Sequence, residues 1–280
     1  MAGRELTSIR SARVKAARRL AKRAFRHRDR RFLAEGPQAV REALKGPDVL
    51  VELFTTTEAE ARHADLVATA EASGVPILRV SGEIMAELAQ TVTPQGLLAV
   101  CAFIDIDLSK ALAPAPRLVT VLARVRDPGN AGTVLRAADA AGSDLVIFTD
   151  ASVDPYNGKC VRASAGSLFH VPIVTGPRFE ALIDALRGGG LTVIAADGSA
   201  ERSLDAAIDD GLLAGPTAWV FGNEAWGLPD EVLRGVDDVV RVPIYGRAES
   251  LNLAAAAAVC LYSSARAHRR RPDEPRVSPG

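Results

Sequence analysis

Arg241-Val242-Pro243-Ile244-Tyr245-Gly246-Arg247-Ala248-Glu249-Ser250-Leu251-Asn252-Leu253 ends a strand, makes a turn and opens an alanine-rich helix. That succession is the strand-to-helix joint of an α/β protein. Ser250 stands at the expected N-cap, with polar side chains at the mouth of the helix. The free N–H groups of the first turn, backed by the positive end of the helix dipole, favour a carboxylate or phosphate there.

Outward from this joint the alternation repeats. Upstream in the same half, strands are expected at Leu118–Ala123, Asp144–Thr149, Val171–Val174, Leu191–Ala195, Ala218–Phe221 and Val239–Val242. Helices are expected at Asn130–Ala141, Gly158–Ala165 and Arg178–Leu186, from Pro229, and over 250–266. Strands rich in Val, Ile and Leu without strict alternation fit a parallel sheet covered on both faces. Ligands of such sheets sit past the carboxyl ends of the strands, so the loops after Ala123, Ala195, Phe221 and Val242 are the ones to watch.

The N-terminal half reads as a smaller α/β layer domain. It begins with a basic helix over Ser11–Arg31, followed by a helix over Pro37–Lys45 and a strand over Val49–Thr55. A helix over Glu58–Ser73, a strand over Ile77–Val80, a helix over Gly82–Ala89 and a strand over Leu97–Phe103 complete it. The divisions expected are a domain over 1–105, a proline-containing linker over 106–116, a second domain over 117–268 and a tail over 269–280.

The formal net charge is zero over 280 residues, but residues 1–31 hold twelve Arg and Lys against two acidic side chains. The rest of the chain is correspondingly acidic, so the basic segment is a local device suited to a polyanion. Ten of the twelve are arginine, which favours forked contacts to phosphate and hence nucleic acid. No apolar run approaches the roughly 18–20 residues of a membrane span, and the N-terminus lacks a signal-peptide core, so a cytoplasmic location without membrane association is expected. Cys101, Cys160 and Cys260 are odd in number and far apart, which points to buried apolar residues rather than disulfides or zinc ligands.

Two further loops carry chemistry. In Arg124-Val125-Arg126-Asp127-Pro128-Gly129-Asn130-Ala131-Gly132-Thr133-Val134-Leu135-Arg136, Pro128 and Gly129 make the turn, Asn130 is placed to cap the helix, and Arg136 follows almost two turns later. In Phe221-Gly222-Asn223-Glu224-Ala225-Trp226-Gly227-Leu228-Pro229, a strand ending in glycine admits a ligand close to the backbone, with Glu224 at the ligand edge. Glycine-rich phosphate fingerprints and clusters of metal ligands are lacking, and His27, His63, His170 and His268 lie outside these loops.

Together the three loops resemble the SpoU family of ribose methyltransferases, also called the TrmH family, within the knotted SPOUT superfamily. Asp127-Pro128-Gly129-Asn130-Ala131-Gly132 with Arg136 is similar to its first motif, and Phe221 to Leu228 to its second. Val242-Pro243-Ile244 with Ser250-Leu251-Asn252-Leu253 is similar to its third. The resemblance covers about residues 117–266 and extends to Asp154-Pro155-Tyr156 with Lys159, Arg162, Ser164, Ala165 and Gly166. The N-terminal half more weakly resembles the ribosomal-protein-L30e-like substrate domain of such enzymes. Its basic helix and Arg31-Phe32-Leu33-Ala34-Glu35-Gly36 are similar to members acting on large-subunit ribosomal RNA, including the thiostrepton-resistance type.

The resemblance implies a C-terminal parallel-sheet α/β domain with a deep trefoil knot, working as a homodimer in which the knotted regions pack together; helix 250–266, with Leu251, Leu253, Val259, Leu261 and small alanines, reads equally as that interface or as a buried core helix. It implies transfer of a methyl group from S-adenosylmethionine to a ribose 2′-hydroxyl of RNA, without a metal. Phe221, Gly222, Asn223, Val242, Ile244, Leu251 and Leu253 would hold the cofactor, while Arg136, Asn130, Glu224, Ser250 and Asn252 would serve the chemistry. A guanidinium is a poor base, so Arg136 is expected to orient phosphate and stabilise developing alkoxide charge. Arg10, Arg13, Arg18, Arg19, Arg23 and Arg26 are the expected RNA contacts. Ribosomal RNA is the preferred substrate; transfer RNA, a base methyltransferase and a noncatalytic RNA-binding module stay open as alternatives.

Overall fold

The computed structural model describes residues 4–223 and 227–269. The chain forms two compact units whose division does not follow the sequence. One takes residues up to Asp105 together with Asp127–Arg136 and Val153–Pro172; the other takes Ile106–Arg126, Ala137–Ser152 and the chain from Ile173.

Along the N-terminal part run β1 (Arg4–Leu6), α1 (Ala12–Arg19), α2 (Arg23–Asp29), β2 (Arg31–Glu35), α3 (Pro37–Ala43) and β3 (Leu50–Thr55). After them come α4 (Thr57–Arg62), α5 (Ala64–Ala72), β4 (Ile77–Val80), α6 (Gly82–Leu88) and β5 (Leu97–Ala102). The five strands pair in the order β1-β4-β3-β5-β2, with β5 antiparallel to both of its neighbours. Val14, Ala17 and Leu20 from the basic segment pack with Phe54, Leu78, Met85 and Leu98 in one apolar core, so the stripe on that segment is a packing face.

The expected helix over 11–31 is two helices and the start of a strand. The break falls at Leu20–Lys22, and Arg26 explains it. Its Nη1 donates to the carbonyls of Leu20 and Ala21, both at 2.9 Å, which a continuous helix would have used for its own ladder. Its Nε and Nη2 donate to Asp154 Oδ2 at 2.8 and 2.6 Å, and both side chains are only 3% exposed. The Tyr156 amide donates to the other Asp154 oxygen at 2.9 Å. Arg26 therefore departs from the expected RNA-contact set: it is a buried, fully partnered structural cation. The helix expected over 58–73 also divides, at His63, whose φ of −125° leaves the helical region.

The second part of the chain holds α7 (Leu108–Leu112), β6 (Leu118–Leu122), α8 (Pro128–Ala141), β7 (Leu145–Phe148), α9 (Gly158–Ala163) and β8 (Ile173–Thr175). There follow α10 (Phe179–Gly188), β9 (Thr192–Ala196), β10 (Arg202–Ser203), α11 (Leu204–Asp209), β11 (Thr217–Phe221), α12 (Asp230–Gly235), β12 (Asp238–Arg241) and α13 (Leu253–Arg269). Segment 106–116, read as a patternless linker, carries α7, whose Ala111 is buried with the β-sheet core. The short β10 and α11 were not anticipated, because two residues of strand carry no apolar pattern.

The seven strands β6–β12 form one wholly parallel sheet in the order β10-β12-β9-β11-β6-β7-β8, as the strand composition predicts. Val193, Ala195, Val220 and Val121 fill one core, with Leu182, Ile183 and Leu186 of α10 packed on it. Against β11 packs α13, through buried Ala257, Cys260, Leu261 and Ser264. The Trp219 indole N–H, in a wholly buried ring, donates to Ser264 Oγ at 2.8 Å, so its burial leaves no polar atom unpaired. All three cysteines are buried, and burial raises the Cys260 thiol to about 12. No helix is long and apolar enough to cross a membrane among the described residues. The expected tail lies outside the described residues from position 270.

Both expected helix caps are displaced. The last helix starts at Leu253, and the Asn252 side chain accepts from the Ala254 N–H at 2.9 Å, so Asn252 is the cap and Ser250 lies two residues before it. In α8, Asp127 Oδ1 accepts from the Asn130 N–H at 2.8 Å with Pro128 in the first helical position; Asp127 caps and Asn130 is third in the helix.

Removing one partner of the Arg26–Asp154 pair leaves a buried uncompensated charge. Asp154→Ala is expected to lower the urea-unfolding free energy by about 3–5 kcal/mol. The Arg26→Met/Asp154→Leu double variant should lose less than either single change. A loss below about 1 kcal/mol for Asp154→Ala would show the pair to be dispensable.

Candidate functional site

At the carboxyl edge of the parallel sheet, the chain leaving β9, β11 and β12 encloses a cavity of about 440 Å³. The loop after β9 supplies Ala196, Asp197 and Gly198; the loop after β11 supplies Phe221, Gly222, Asn223, Gly227 and Leu228. The chain from Arg241 through Leu251 and the first turn of α13 close the remaining side. This is where a parallel sheet receives ligands, because neighbouring strands end there and leave backbone groups unpaired. Three of the four loops singled out from the sequence meet at this cavity; the loop after Ala123 does not line it.

All seven residues assigned to the cofactor by resemblance, Phe221, Gly222, Asn223, Val242, Ile244, Leu251 and Leu253, line this cavity, and so does Ser250. Phe221 is buried at the end of β11, whereas Ile244, Ser250 and Leu251 are exposed on the outer wall. Asn252 is exposed and does not line the cavity; it caps α13. Glu224 lies outside the described residues. Asn130 and Arg136 belong to the other unit, on the first half of α8.

Two glycines set how closely the β11 loop closes. A side chain at Gly222 would place its Cβ 2.7 Å from Leu228 Cγ and 2.9 Å from the Gly227 carbonyl oxygen, so only glycine fits without displacing the loop. Gly227 has a φ of +63°, the left-handed region that glycine enters without strain, and its amide donates back to the Asn223 carbonyl at 2.9 Å. Asn223 and Gly227 are thus joined directly, and Gly222 and Gly227 present backbone to the cavity.

Asp197 ties two walls together and was not singled out from the sequence. Its Oδ1 accepts from the Ser199 amide at 2.9 Å and the Ser199 hydroxyl at 2.6 Å, and its Oδ2 accepts from the Leu228 amide at 3.3 Å. A carboxylate directly after a strand that ends at the ligand edge was the available signal. The third wall is anchored by Arg241, whose Nη1 donates to the Ala200 carbonyl at 2.7 Å and also to that of Glu201. Tyr245 Oη donates to Asp205 Oδ2 at 2.7 Å, and that hydrogen bond with the nearby carboxylate charge raises the phenol above its usual range.

The first motif has its own geometry in the other unit. Lys159 Nζ donates to Asp127 Oδ2 at 2.7 Å. This bond, joined by the Asn130 amide, holds the Asp127 carboxyl below the ordinary carboxylate range. Gly132 lets α8 and α9 approach, since a Cβ there would lie 2.3 Å from the Cys160 carbonyl oxygen and 2.7 Å from Ala163 Cβ. Arg136 is exposed, and among the described residues no acidic side chain pairs with it. A charged fork held on a helix and left open is suited to an anionic oxygen.

Of the expected RNA contacts, Arg10, Arg18, Arg19 and Arg23 are exposed, and Arg13 is partly so. Arg13 and Arg18 meet Glu52 and Glu87 at 3.4 and 3.1 Å, surface pairs weak enough to exchange for phosphate.

Residues 117–262 match the model of the SpoU rRNA Methylase family, and residues 11–99 match that of an MRM3-like substrate binding domain. The chain is 34% identical over 259 residues to the 23S rRNA (guanosine(2553)-2′-O)-methyltransferase RlmP of Bacillus subtilis, covering 92% of this chain and 98% of that protein. It is similar to the crystal structure of an AdoMet-bound rRNA methyltransferase from Sinorhizobium meliloti, with a TM-score of 0.80 and 31% identity over 94% of this chain and 97% of the other. The SpoU methyltransferase AviRb from Streptomyces viridochromogenes, in complex with AdoMet, has a TM-score of 0.79 and 27% identity over 91% and 98% of the two chains. With the family's three motifs in order and two of them on one cavity, the chain belongs to the SpoU rRNA methylase family.

Proposed function

We propose that this chain transfers the methyl group of S-adenosylmethionine to a ribose 2′-hydroxyl of large-subunit ribosomal RNA. The observation that carries the reading is the meeting of all seven family cofactor positions on one cavity at the carboxyl edge of the sheet. Its relatives in Bacillus subtilis and Ralstonia nicotianae are named as 23S rRNA 2′-O-methyltransferases, which supports the substrate class. The reading includes a trefoil knot around the cofactor site, in keeping with the placement of β12 between β9 and β10.

The cavity suits the cofactor because its wall is mixed: buried Phe221 and Leu228 offer an apolar surface, and the glycine-bearing loop offers backbone donors and acceptors. Backbone near Gly222, Val242, Ile244, Leu251 and Leu253 would hold the adenosine part, and Ser250 stands on the exposed rim. When bound, S-adenosylmethionine supplies an electrophilic methyl group whose departure leaves a neutral thioether. The remaining problem is the ribose hydroxyl, a poor nucleophile until its proton leaves. Arg136 is assigned that oxygen on the family likeness. Its guanidinium stays charged at any working pH, so it stabilises the developing alkoxide and orients the adjoining phosphate. Asp127, as cap of α8, and Gly132, through close packing, fix the helix that carries Arg136. On the family likeness Asn130 and Glu224 would order the surrounding loops, Glu224 lying outside the described residues, and Arg10, Arg13, Arg18, Arg19 and Arg23 would contact RNA phosphate. Such a substrate accords with a cytoplasmic workplace.

Two copies pair through the outer face of α13. Val259 and Tyr262, one helical turn apart, are 42% and 53% exposed, and Leu251 just before the helix is 39% exposed. Exposed apolar side chains concentrated beside a helix whose other face is buried suit a subunit interface. Sedimentation equilibrium at micromolar concentration should give twice the 29.5 kDa chain mass, shifting toward monomer for Tyr262→Glu. A wild-type monomer would contradict the pairing.

Mass-spectrometric mapping after incubation with radiolabelled cofactor and ribosomal RNA tests the function. Methyl is expected on a ribose 2′-oxygen, with Arg136→Ala losing at least about a hundredfold in turnover while cofactor affinity changes little. Methyl on a base, or full turnover by Arg136→Ala, would overturn the respective assignment.

A further inference from the structure

The turn between α1 and α2 carries a feature that the methyl-transfer reading leaves unused. Phe25 is partly exposed, and two guanidinium groups lie over its ring: Arg28 at 4.8 Å and Arg19 at 5.8 Å from the centroid. Arg28 is also held by a two-pronged bond to Asp29, at 2.7 and 3.0 Å. Two flexible, hydrated cations are thus held against a single aromatic ring at the surface, with exposed Lys22, Arg23 and Arg31 nearby in sequence.

A hollow of about 310 Å³ is lined by Asp29, the partner of Arg28. Its floor is Ala16, Ala17, Leu20 and Val100, and its rim carries Asp29, Arg31 and Glu52. Asp29 joins the two features, because it lines the hollow and its carboxyl is held low first by the bond from Arg28 and then by the charges of Arg28, Arg19 and Arg31. A hollow at the small end of ligand cavities, which run about 300–1,000 Å³, suits one nucleotide rather than a longer segment.

The geometry points to a site for an unpaired ribonucleotide: the base stacks on the Phe25–arginine platform beside the hollow, and its flanking phosphates lie on the arginines around it. The inference rests on the reading of the substrate as RNA and adds the form in which this face takes it. Duplex RNA presents phosphates but keeps its bases stacked on one another, so it has no free face for Phe25. A single strand offers both, and stacking on an aromatic or guanidinium plane tolerates any base. An acidic peptide would satisfy the arginines and leave the platform unused. Anchoring a loop or strand of substrate here supplies binding energy away from the reacting hydroxyl, which positions the target ribose.

Fluorescence anisotropy of the full chain with two labelled probes tests this: an unstructured 12-nucleotide RNA of alternating A and C, and a 12-base-pair RNA duplex. Phe25→Leu keeps apolar bulk and removes the ring. It should weaken the single strand about tenfold, leave duplex binding within about twofold, and leave thermal unfolding unchanged, with Phe25→Tyr binding as wild type. The Arg19→Gln/Arg28→Gln variant, altering exposed residues only, should weaken both probes and flatten the salt dependence by about one to two phosphate contacts. Wild-type affinity of Phe25→Leu for the single strand, or equal losses on both probes, would overturn the stacking site while leaving the methyltransferase reading intact. Failure of the wild-type chain to bind the single strand would likewise overturn the site, whereas loss of methyl transfer to ribosomal RNA is what would overturn the methyltransferase reading.

Discussion

At the end of β11 the backbone has no room for a side chain: a methyl group on Gly222 would press on Leu228 and on the Gly227 carbonyl at 2.7–2.9 Å. Everything at the carboxyl edge of the sheet depends on that close approach. It brings Gly227 and Leu228 against the end of the strand and places the Leu228 amide on Asp197, which in turn fixes the loop after β9. The third wall is held against the same edge by Arg241 bonding to the carbonyls of Ala200 and Glu201. A larger residue at Gly222 would strain a packed loop by about 1–3 kcal/mol, and the strain would fall on the cavity.

The strand order makes this convergence possible. With β12 seated beside β9, and β9 beside β11, three carboxyl ends lie next to one another although they come from distant points of the chain. The central strand β11 is anchored from behind by α13, where Trp219 and Ser264 satisfy each other inside the core. The helix that begins at the cavity wall therefore also secures the strand that supplies the opposite wall. In the other unit a similar economy operates on charge: one arginine of the basic segment, Arg26, is buried to end a helix and join it to Asp154, while Arg18, Arg19, Arg23 and Arg28 stay at the surface.

The parallel sheet was legible because its strands are continuous β-branched and aliphatic runs, which need cover on both faces. The cavity residues were legible for the same reason, since a ligand belongs at the ends of such strands and the second and third family motifs lie there. Cap positions were not. Ser250 and Asn252 are both good caps, and the choice fell on Asn252 because the buried face of α13 starts at Leu253, next to it. For α8, Pro128 already marked the first helical residue and pointed to Asp127 rather than Asn130. Burial of Arg26 could not be read from a run of charges, because the carbonyls and carboxylate that receive it lie partly 128 residues away. Strand β2 was hidden by extending the basic helix through Arg31, and β10 by being two residues long.

The central claim is that the cavity between the ends of β9, β11 and β12 holds the methyl donor. A crystal structure of the full chain with S-adenosylmethionine tests it most directly. The cofactor is expected against the backbone at Gly222, Val242 and Leu253, enclosed by the loop that carries Ser250. Cofactor bound elsewhere on the chain, with this cavity filled only by solvent, would contradict the account.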